Sequence, residues 1–441
     1  ILALTEKYSA LVMNPPYMGG ANMNGILSKY VRDNYEVGKA DLFSVFMLLA
    51  TDRLCAKGKY SMINMHSWMF LGSFEKLRIS IVDKYQIDNL LHLGPRTFDE
   101  LSGEVVQNAA FTITKSSPSY QGIYFRLVEG KNCKKKEELF LNAKNTQNIK
   151  YRKINQTHFK HIPGYTIGYW VSERVIKNFF EMPLLGSKYD VKSGLSTGDN
   201  EIFVRRWHEI NLNKMFLEHS DDESVRNGYK WFPYSKGGGI QKWYGNKELV
   251  VNYENNAQDI KDLGLGVFRN PSYYFREGLT WSGMSSLFVS YRFLEAGGIF
   301  DSNKGPMIFC KNDDASLYYA LGLLNTKISN TYTNLLNPTV STQIGDVIQI
   351  PIKLDDTSKD HIESLAKSNI LISKHDWDAH ETSWDFQENE LVKLQKEGIG
   401  TITADLGETT VMRYSTLNLL YAEYVAKWEK MFRDLHANEE E

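Results

Sequence analysis

Apolar and polar positions change their pattern along the chain near residue 150. Before that point, short apolar runs alternate with segments whose apolar residues recur every three or four positions. This alternation predicts strands that alternate with helices, as in a doubly wound α/β sheet. The last two predicted strands are adjacent and are expected to form a hairpin. Strands are predicted at 11–13, 59–69, 87–94 and 104–115, and helices at 40–58 and 73–85.

Two further regions follow. From 151 to 355 the sequence is rich in Gly, Tyr, Trp and Asn with short apolar runs, which predicts an α+β domain. Beyond Pro351 the apolar residues return to a helical period, which predicts a helical tail. The pattern therefore divides the chain into an α/β part at 1–150, an α+β part at 151–355 and a helical region at 356–441.

A rigid corner is predicted where the first strand ends. The apolar run 11–13 leads directly into Asn14, Pro15, Pro16 and Tyr17. Each proline fixes its own φ and holds the preceding residue extended. The corner therefore presents the Asn14 amide, the Pro15 carbonyl and the Tyr17 ring at the carboxyl end of a strand, where open α/β sheets bind their ligands.

These groups suit the activation of an amino group on a nucleobase. Such a nitrogen is a weak nucleophile because its lone pair is delocalised into the ring. Two acceptors, the Asn14 side-chain oxygen and the Pro15 carbonyl, would bind its two hydrogens and favour a pyramidal nitrogen. The Tyr17 ring would stack on the face of the base. The alternative interpretation is a proline-rich turn after a strand.

Composition and charge narrow the class of protein. The chain has 441 residues, 42% of them hydrophobic, and no apolar run long enough to cross a membrane, so we expect a cytoplasmic protein. A net charge of −2 argues against a protein that coats DNA but allows a local basic cleft. The densest basic run, 132–140, is expected to be a solvated loop. Residues 375–380 contain two His and two Asp, but their spacing matches no defined metal site.

The corner resembles the catalytic motif of the methyltransferases that modify amino groups in nucleic acids, [Asn/Asp/Ser]-Pro-Pro-[Tyr/Phe/Trp]. Further stretches follow in order, among them "GLSTGDNEIFVR", "KWFPYSKGGGIQKWYGN" and "GLTWSGMSSLFVSYRF". With these the chain resembles the PglX adenine-specific DNA methyltransferases of BREX phage-defence systems. It is also similar to the fused methyltransferase and specificity regions of type IIG restriction-modification enzymes.

The resemblance implies a methyl donor, a target and the residues that serve them. The donor is S-adenosylmethionine, and the target is an adenine flipped out of double-stranded DNA. Asn14 to Tyr17 would be catalytic, with Tyr17 and Phe98 stacking on opposite faces of the base. Core packing is the alternative role for Phe98. Asp41 lies near a cofactor-contacting position of the family, although a helix N-cap alone explains an Asp there.

The region 151–355 would be the domain that recognises the DNA target. Lys236 and Lys242 flank three glycines, where backbone can approach the sugar-phosphate chain, so phosphate contacts are expected from them. Arg292, in a predicted strand, would read a base edge or form a structural ion pair. Surface loops without DNA contact are the alternative interpretation of these stretches.

One family feature is missing. The family binds its cofactor through a glycine-rich turn before the catalytic motif, but only thirteen residues precede Asn14 and none is Gly. We therefore expect a fragment, equivalent to the C-terminal half of a Rossmann-like sheet with the domains that follow it, and no methyl transfer by the fragment alone. Other defence-system proteins are possible partners. Two other functions stay open: a protein-glutamine methyltransferase, and a DNA-recognition module in which catalysis is secondary.

Overall fold

The computed structural model describes residues 6–98, 106–285, 288–397, 399–403, 409–412 and 417–441. The chain forms two compact units. The first comprises Ile1–Pro183 with Asn334–Pro338, and the second comprises Leu184–Thr333 with Thr339–Glu441. The first unit thus extends beyond the predicted boundary at 150, and the division into three functional domains stays a prediction.

A mixed six-stranded sheet forms the centre of the first unit, in the order β1-β2-β4-β3-β5-β6. Strands β1 and β2 are parallel, as are β3 and β5, whereas β4 runs antiparallel to both β2 and β3. The strands are β1 (Tyr8–Met13), β2 (Leu54–Met65), β3 (Gln86–Gly94), β4 (Asn108–Thr114), β5 (Gly122–Arg126) and β6 (Tyr151–Ile154). The helices are α1 (Gly25–Asn34), α2 (Leu42–Arg53), α3 (Glu75–Lys84), α4 (Cys133–Thr146) and α5 (Glu173–Glu181).

The predicted α/β class and the antiparallel pairing of β3 with β4 are confirmed. The predicted end of the helix at 40–58 is wrong, because α2 stops at Arg53 rather than at residue 58. Leu54 instead begins β2 by pairing with Tyr8 of β1. Lys57 adopts a left-handed conformation with φ of 61°. Strand pairing along the sheet therefore prevails over the helical pattern of the sequence.

The basic run at 132–140 is also not a loop. Asn132 caps α4 by accepting a hydrogen bond from the Lys135 amide at 2.8 Å. Lys136 is buried, and its Nζ donates to the Leu93 carbonyl at 2.6 Å. One lysine of the run therefore fastens the helix to the end of β3.

Short sheets and helices alternate in the second unit. One four-stranded sheet has the order β15-β10-β11-β9, another has the order β14-β13-β16-β7, and β8 pairs with β12. The strands are β7 (Tyr189–Lys192), β8 (Leu195–Ser196), β9 (Val204–Arg206), β10 (Trp231–Ser235), β11 (Leu249–Asn252), β12 (Val267–Phe268), β13 (Gly278–Trp281), β14 (Tyr291–Leu294), β15 (Ile299–Phe300) and β16 (Met307–Cys310). The helices interspersed with them are α6 (Leu185–Lys188), α7 (Asn200–Phe203), α8 (Glu254–Leu263), α9 (Leu317–Leu324), α10 (Lys327–Leu336) and α11 (Ile344–Val347).

Aromatic side chains fill the core of this unit. Phe232 of β10 packs against Phe216 and Phe275, with ring centroids 5.4 Å and 5.5 Å away. Rings at this spacing bury a large apolar area with defined geometry, so they hold the many short strands together. The abundance of aromatic residues in 151–355 is thus explained first by this core.

In the part of the predicted helical tail that the structure describes, there are three helices and a strand pair that the pattern did not predict. The helices are α12 (Lys359–Asp378), α13 (Glu390–Glu397) and α14 (Leu417–Glu440), and the antiparallel pair is β17 (Ile399–Thr403) with β18 (Thr409–Met412). Among the residues described, no helix is both long and apolar enough to cross a membrane.

Candidate active site

The predicted corner lies at the carboxyl end of β1. Met13, the last residue of β1, pairs with Met62 of β2. Beyond it, Asn14 and Pro16 are exposed, whereas Pro15 is buried. The two prolines hold this segment extended, so the Asn14 amide faces solvent from a fixed point on the sheet edge.

The Tyr17 side chain is hydrogen-bonded to β2 and β4, which follow β1 in the order of the sheet. Its hydroxyl accepts a hydrogen bond from Asn108 Nδ2 at 3.0 Å and donates one to the Ile63 carbonyl at 3.4 Å. Its ring meets Phe43 edge-on, with centroids 6.2 Å apart and an interplanar angle of 84°. Burial raises the pKa of Tyr17, and the hydrogen bond from Asn108 offsets only part of this rise. The side chain is therefore a neutral, oriented ring.

Asp41 fixes the chain that follows Tyr17. Its Oδ1 accepts hydrogen bonds from the Met18 amide at 3.0 Å and from the Phe43 amide at 3.2 Å. The Met18 carbonyl in turn accepts from the Leu42 amide at 3.0 Å. Asp41 is 9% exposed and serves both as the N-cap of α2 and as a clamp on the corner. These contacts account for an Asp at this position without a cofactor.

Phe98 leaves the same edge of the sheet as Tyr17. It follows the end of β3 by four residues, and β3 runs in the same direction as β2 because both are antiparallel to β4. Gly94, the last residue of β3, pairs with Asn108, whose side chain contacts Tyr17. Phe98 is half-buried. Its predicted stacking on the target base stays a prediction.

A buried histidine pair near this edge was missed by sequence reasoning. His66 Nδ1 and His92 Nε2 are 2.8 Å apart, and His92 Nδ1 is 3.2 Å from the Tyr169 hydroxyl. Burial lowers the pKa of His66 to about 4 and holds the pKa of His92 well below its usual value. Both rings are therefore neutral. The only signal in the sequence was a histidine inside each apolar strand pattern.

The sequence predicts DNA contact for three basic residues of the second unit, and the structure places each of them in different surroundings. Lys236 is half-buried, with Nζ 5.8 Å from the Tyr234 ring centroid, and burial lowers its pKa. Lys242 forms an ion pair with Glu439 of α14 at 3.0 Å. The same carboxylate accepts a hydrogen bond from Trp243 Nε1 at 2.8 Å. Both lysines border the glycine-rich loop as predicted, but Lys242 is already paired.

Arg292 lies in the interior of the second unit. It is 1% exposed and donates hydrogen bonds to the Gln241 carbonyl at 3.2 Å and to Ser282 Oγ at 3.3 Å. Burial lowers the pKa of Arg292 to about 10. A side chain this deeply buried cannot reach a base edge in this conformation. Its contacts support the glycine-rich loop instead, and they are with a carbonyl and a hydroxyl rather than with the predicted ion-pair partner.

Residues 375–380 lie at and just beyond the end of α12. Among the residues described, no group of three or more His, Cys, Asp or Glu side chains is placed to hold a metal ion. His380 Nδ1 is 2.7 Å from the Asp376 carbonyl, one helical turn earlier. His375 stacks on Trp428 of α14 with ring centroids 5.5 Å apart. The His375 ring therefore joins α12 to α14, and His380 contacts the last turn of α12.

Comparison with known proteins relates this site to a family. Residues 3–98, which include the corner, match the model of a family described as Eco57I restriction-modification methylase. The chain is 39% identical over 393 residues to the adenine-specific methyltransferase BrxX of Escherichia coli O9:H4 (strain HS), covering 88% of this chain and 31% of that protein. This chain is similar to adenine-specific methyltransferases. It is also 36% identical over 450 residues to the adenine-specific methyltransferase PglX of Lacticaseibacillus casei (strain Zhang), covering 100% of this chain and 36% of that protein.

The resemblance to the PglX group that the sequence motifs indicated is confirmed by these relatives. The chain spans about a third of the length of the curated relatives it matches. Among solved structures, the Type IIL restriction-modification enzyme MmeI in complex with DNA aligns with a TM-score of 0.54 at 12% identity, covering 96% of this chain and 57% of that chain. A nuclease-deletion mutant of the Type ISP enzyme LlaGI, in complex with a DNA substrate mimic, aligns with a TM-score of 0.50 at 14% identity, covering 84% and 35%. At these identities the likeness concerns the fold.

Proposed function

We propose that the chain is the target-base and recognition part of a DNA adenine methyltransferase that acts in phage defence. The observation that carries the proposal is the Asn14-Pro15-Pro16-Tyr17 corner, fixed at the carboxyl end of β1 in a chain similar to adenine-specific methyltransferases. The proposed target is the exocyclic amino group of an adenine flipped out of the duplex.

The corner residues would bind and activate that amino group. The exposed Asn14 side-chain oxygen and the Pro15 carbonyl accept its two hydrogens, which favours a lone pair directed away from the ring. The Tyr17 hydroxyl is hydrogen-bonded to residues of two strands, β2 and β4. The ring therefore loses little rotational freedom when the base binds. Phe98 would cover the opposite face of the base.

The proposed methyl donor is S-adenosylmethionine, which supplies an electrophilic methyl group when bound. Asp41 was the cofactor contact expected from the sequence, but its Oδ1 already accepts hydrogen bonds from two backbone amides. These contacts explain Asp41 as a clamp on the corner, so Asp41 does not by itself identify a cofactor site. We propose that the main cofactor-binding residues are others than Asp41.

Double-stranded DNA would pass over the glycine-rich loop of the second unit. Gly237 and Gly238 adopt φ of +79° and +130°, conformations that L side chains rarely take, so the loop backbone is free of side chains here. Lys236 and Lys242 border these glycines and would contact phosphates. Because Lys242 is paired with Glu439, a phosphate would have to replace that carboxylate.

Transfer of labelled methyl groups tests the proposal. The intact natural protein that carries this sequence is incubated with tritiated S-adenosylmethionine and duplex DNA, and the modified nucleoside is identified by mass spectrometry. We expect N6-methyladenine, and Asn14→Ala should lower its formation by roughly 10²–10³-fold, the scale for one preorganised group at a reacting centre. Asn34→Ala, an exposed asparagine at the end of α1, is the matched control and should retain activity. Label in added protein substrates rather than in DNA would contradict the proposal.

A further inference from the structure

We infer that Asn108 is a positioning residue for the proposed methyl transfer, because it holds the Tyr17 ring in the orientation that receives the target base. This inference rests on the proposed function. It adds a residue of β4, which is separated from β1 by β2 in the sheet. Asn108 is the first residue of β4, more than 90 positions away from Tyr17 along the chain.

The position of Asn108 is defined by the sheet. It pairs with Met65 of β2 on one side and with Gly94 of β3 on the other, and its side chain is completely buried at 0% exposure. Neighbours on both sides keep its backbone from shifting. A donor mounted here is therefore more rigid than one on a loop, which is what precise placement of a catalytic ring requires.

The orientation of the amide follows from its two contacts. Asn108 Nδ2 is 3.3 Å from the Asn64 carbonyl and 3.0 Å from the Tyr17 hydroxyl. A backbone carbonyl only accepts hydrogen bonds, so the atom that faces it must be the NH₂ group. The Tyr17 hydroxyl consequently accepts from Asn108, and its own hydrogen is left for the Ile63 carbonyl at 3.4 Å.

These two hydrogen bonds act on the end of the ring that is farthest from the backbone. The Cα of Tyr17 is constrained by the preceding prolines, and Asn108 with Ile63 constrains its hydroxyl. The direction of the ring axis is therefore fixed at both ends, and the edge-on contact with Phe43 limits rotation about that axis. Removal of the Asn108 donor leaves the hydroxyl with only the longer hydrogen bond to the Ile63 carbonyl.

A stabilising role alone does not explain an amide at this position. Asn108 Oδ1 is buried and has no hydrogen-bond partner among the residues that the structure describes. The cost of burying this unpaired oxygen offsets part of the stabilisation that the two hydrogen bonds from Nδ2 contribute. Asn108→Leu should therefore lower the thermal stability only modestly, while the turnover falls by much more.

A double-mutant cycle with Tyr17→Phe tests the inference in the intact protein. Each single variant should lower kcat by about 10- to 100-fold, the range expected when a reacting group is misplaced by up to an ångström, with little change in KM for DNA. The double variant should lower kcat no further than either single variant, because both remove the same hydrogen bond. Thr112→Val on the same strand loses a hydroxyl that is 2.9 Å from Ser61 Oγ, and it should leave kcat unchanged.

Three results would overturn the inference. They are wild-type kcat in Asn108→Leu, additive effects in the double variant, and a fall in kcat that is matched by loss of the folded state while Tyr17→Phe retains full activity. If the wild-type protein methylates no DNA, the proposed function fails first, and this result is distinct from all three.

Discussion

Asp41→Ala should lower the free energy of unfolding of the first unit by about 2–3 kcal/mol. Loss of an N-cap costs about 1 kcal/mol. The hydrogen bond from Met18 to a charged acceptor adds about 1.5 kcal/mol, the lower end of its usual range, because Met18 is 36% exposed and water can replace the carboxylate. For a unit of this size, the loss corresponds to a fall in Tm of roughly 4–12 °C.

Two matched variants separate the clamp from a cofactor contact. Asp41→Asn keeps a hydrogen-bond acceptor on a side chain of the same length. Its free energy of unfolding should fall by less than about 1 kcal/mol, since neutral hydrogen bonds replace charged ones. Asp41→Ser keeps a capping oxygen, but its side chain is too short to reach the Met18 amide as well. Its free energy of unfolding should therefore lie between those of Asp41→Asn and Asp41→Ala. Calorimetric Tm and the affinity for S-adenosylmethionine are measured on all three. Normal stability in Asp41→Ala, with greatly weakened cofactor binding in Asp41→Asn, would refute the clamp and indicate a charge-dependent cofactor contact.

Other predictions concern charge. Lys236→Gln should weaken DNA binding on every sequence and reduce the slope of log K against log[salt] by about one unit, as measured by titration on specific and scrambled duplexes. Glu439→Gln should strengthen DNA binding by releasing Lys242, and the gain should vanish when Lys242→Gln is added; unchanged affinity would contradict phosphate binding by Lys242. Arg292→Met should lower Tm before it affects sequence preference, because the guanidinium is buried. Since His66 has a pKa of about 4 when folded and 6.5 when unfolded, the unfolded state binds more protons between these values. Stability should therefore fall by up to about 3 kcal/mol as the pH drops through this window, and His66→Gln should flatten that slope in pH-dependent urea unfolding.

The parts that the sequence predicted well are those with a strong local cause. Proline stereochemistry determines the corner at Asn14, and Asp41 is the N-cap that its position before an apolar helix indicated. Strands β3 and β4 were expected as a hairpin and pair as such. In each case the decisive interactions lie within a few residues along the chain or between consecutive strands.

The sequence predictions fail for features that depend on contacts between residues far apart in the chain. Pairing of Leu54 with Tyr8 ends α2 before the predicted position, and no sequence pattern near residue 54 indicates this pairing. Arg292 was expected at the DNA surface, but tertiary packing buries it under the glycine-rich loop. The contact of Asn108 with Tyr17 and the pairing of His66 with His92 likewise join residues that are far apart in the sequence. Sequence periodicity indicates which residues are buried but not which of them meet.

Sequencing of modified bases in genomic DNA tests whether the protein methylates adenine and whether this requires Asn14. DNA is taken from cells that carry the intact protein as wild type, as Asn14→Ala or as the Asn34→Ala control. We expect N6-methyladenine at one short sequence motif in the wild-type and control strains and its loss in the Asn14→Ala strain. Methylation that persists in the Asn14→Ala strain, or no modified adenine in the wild-type strain, would contradict it.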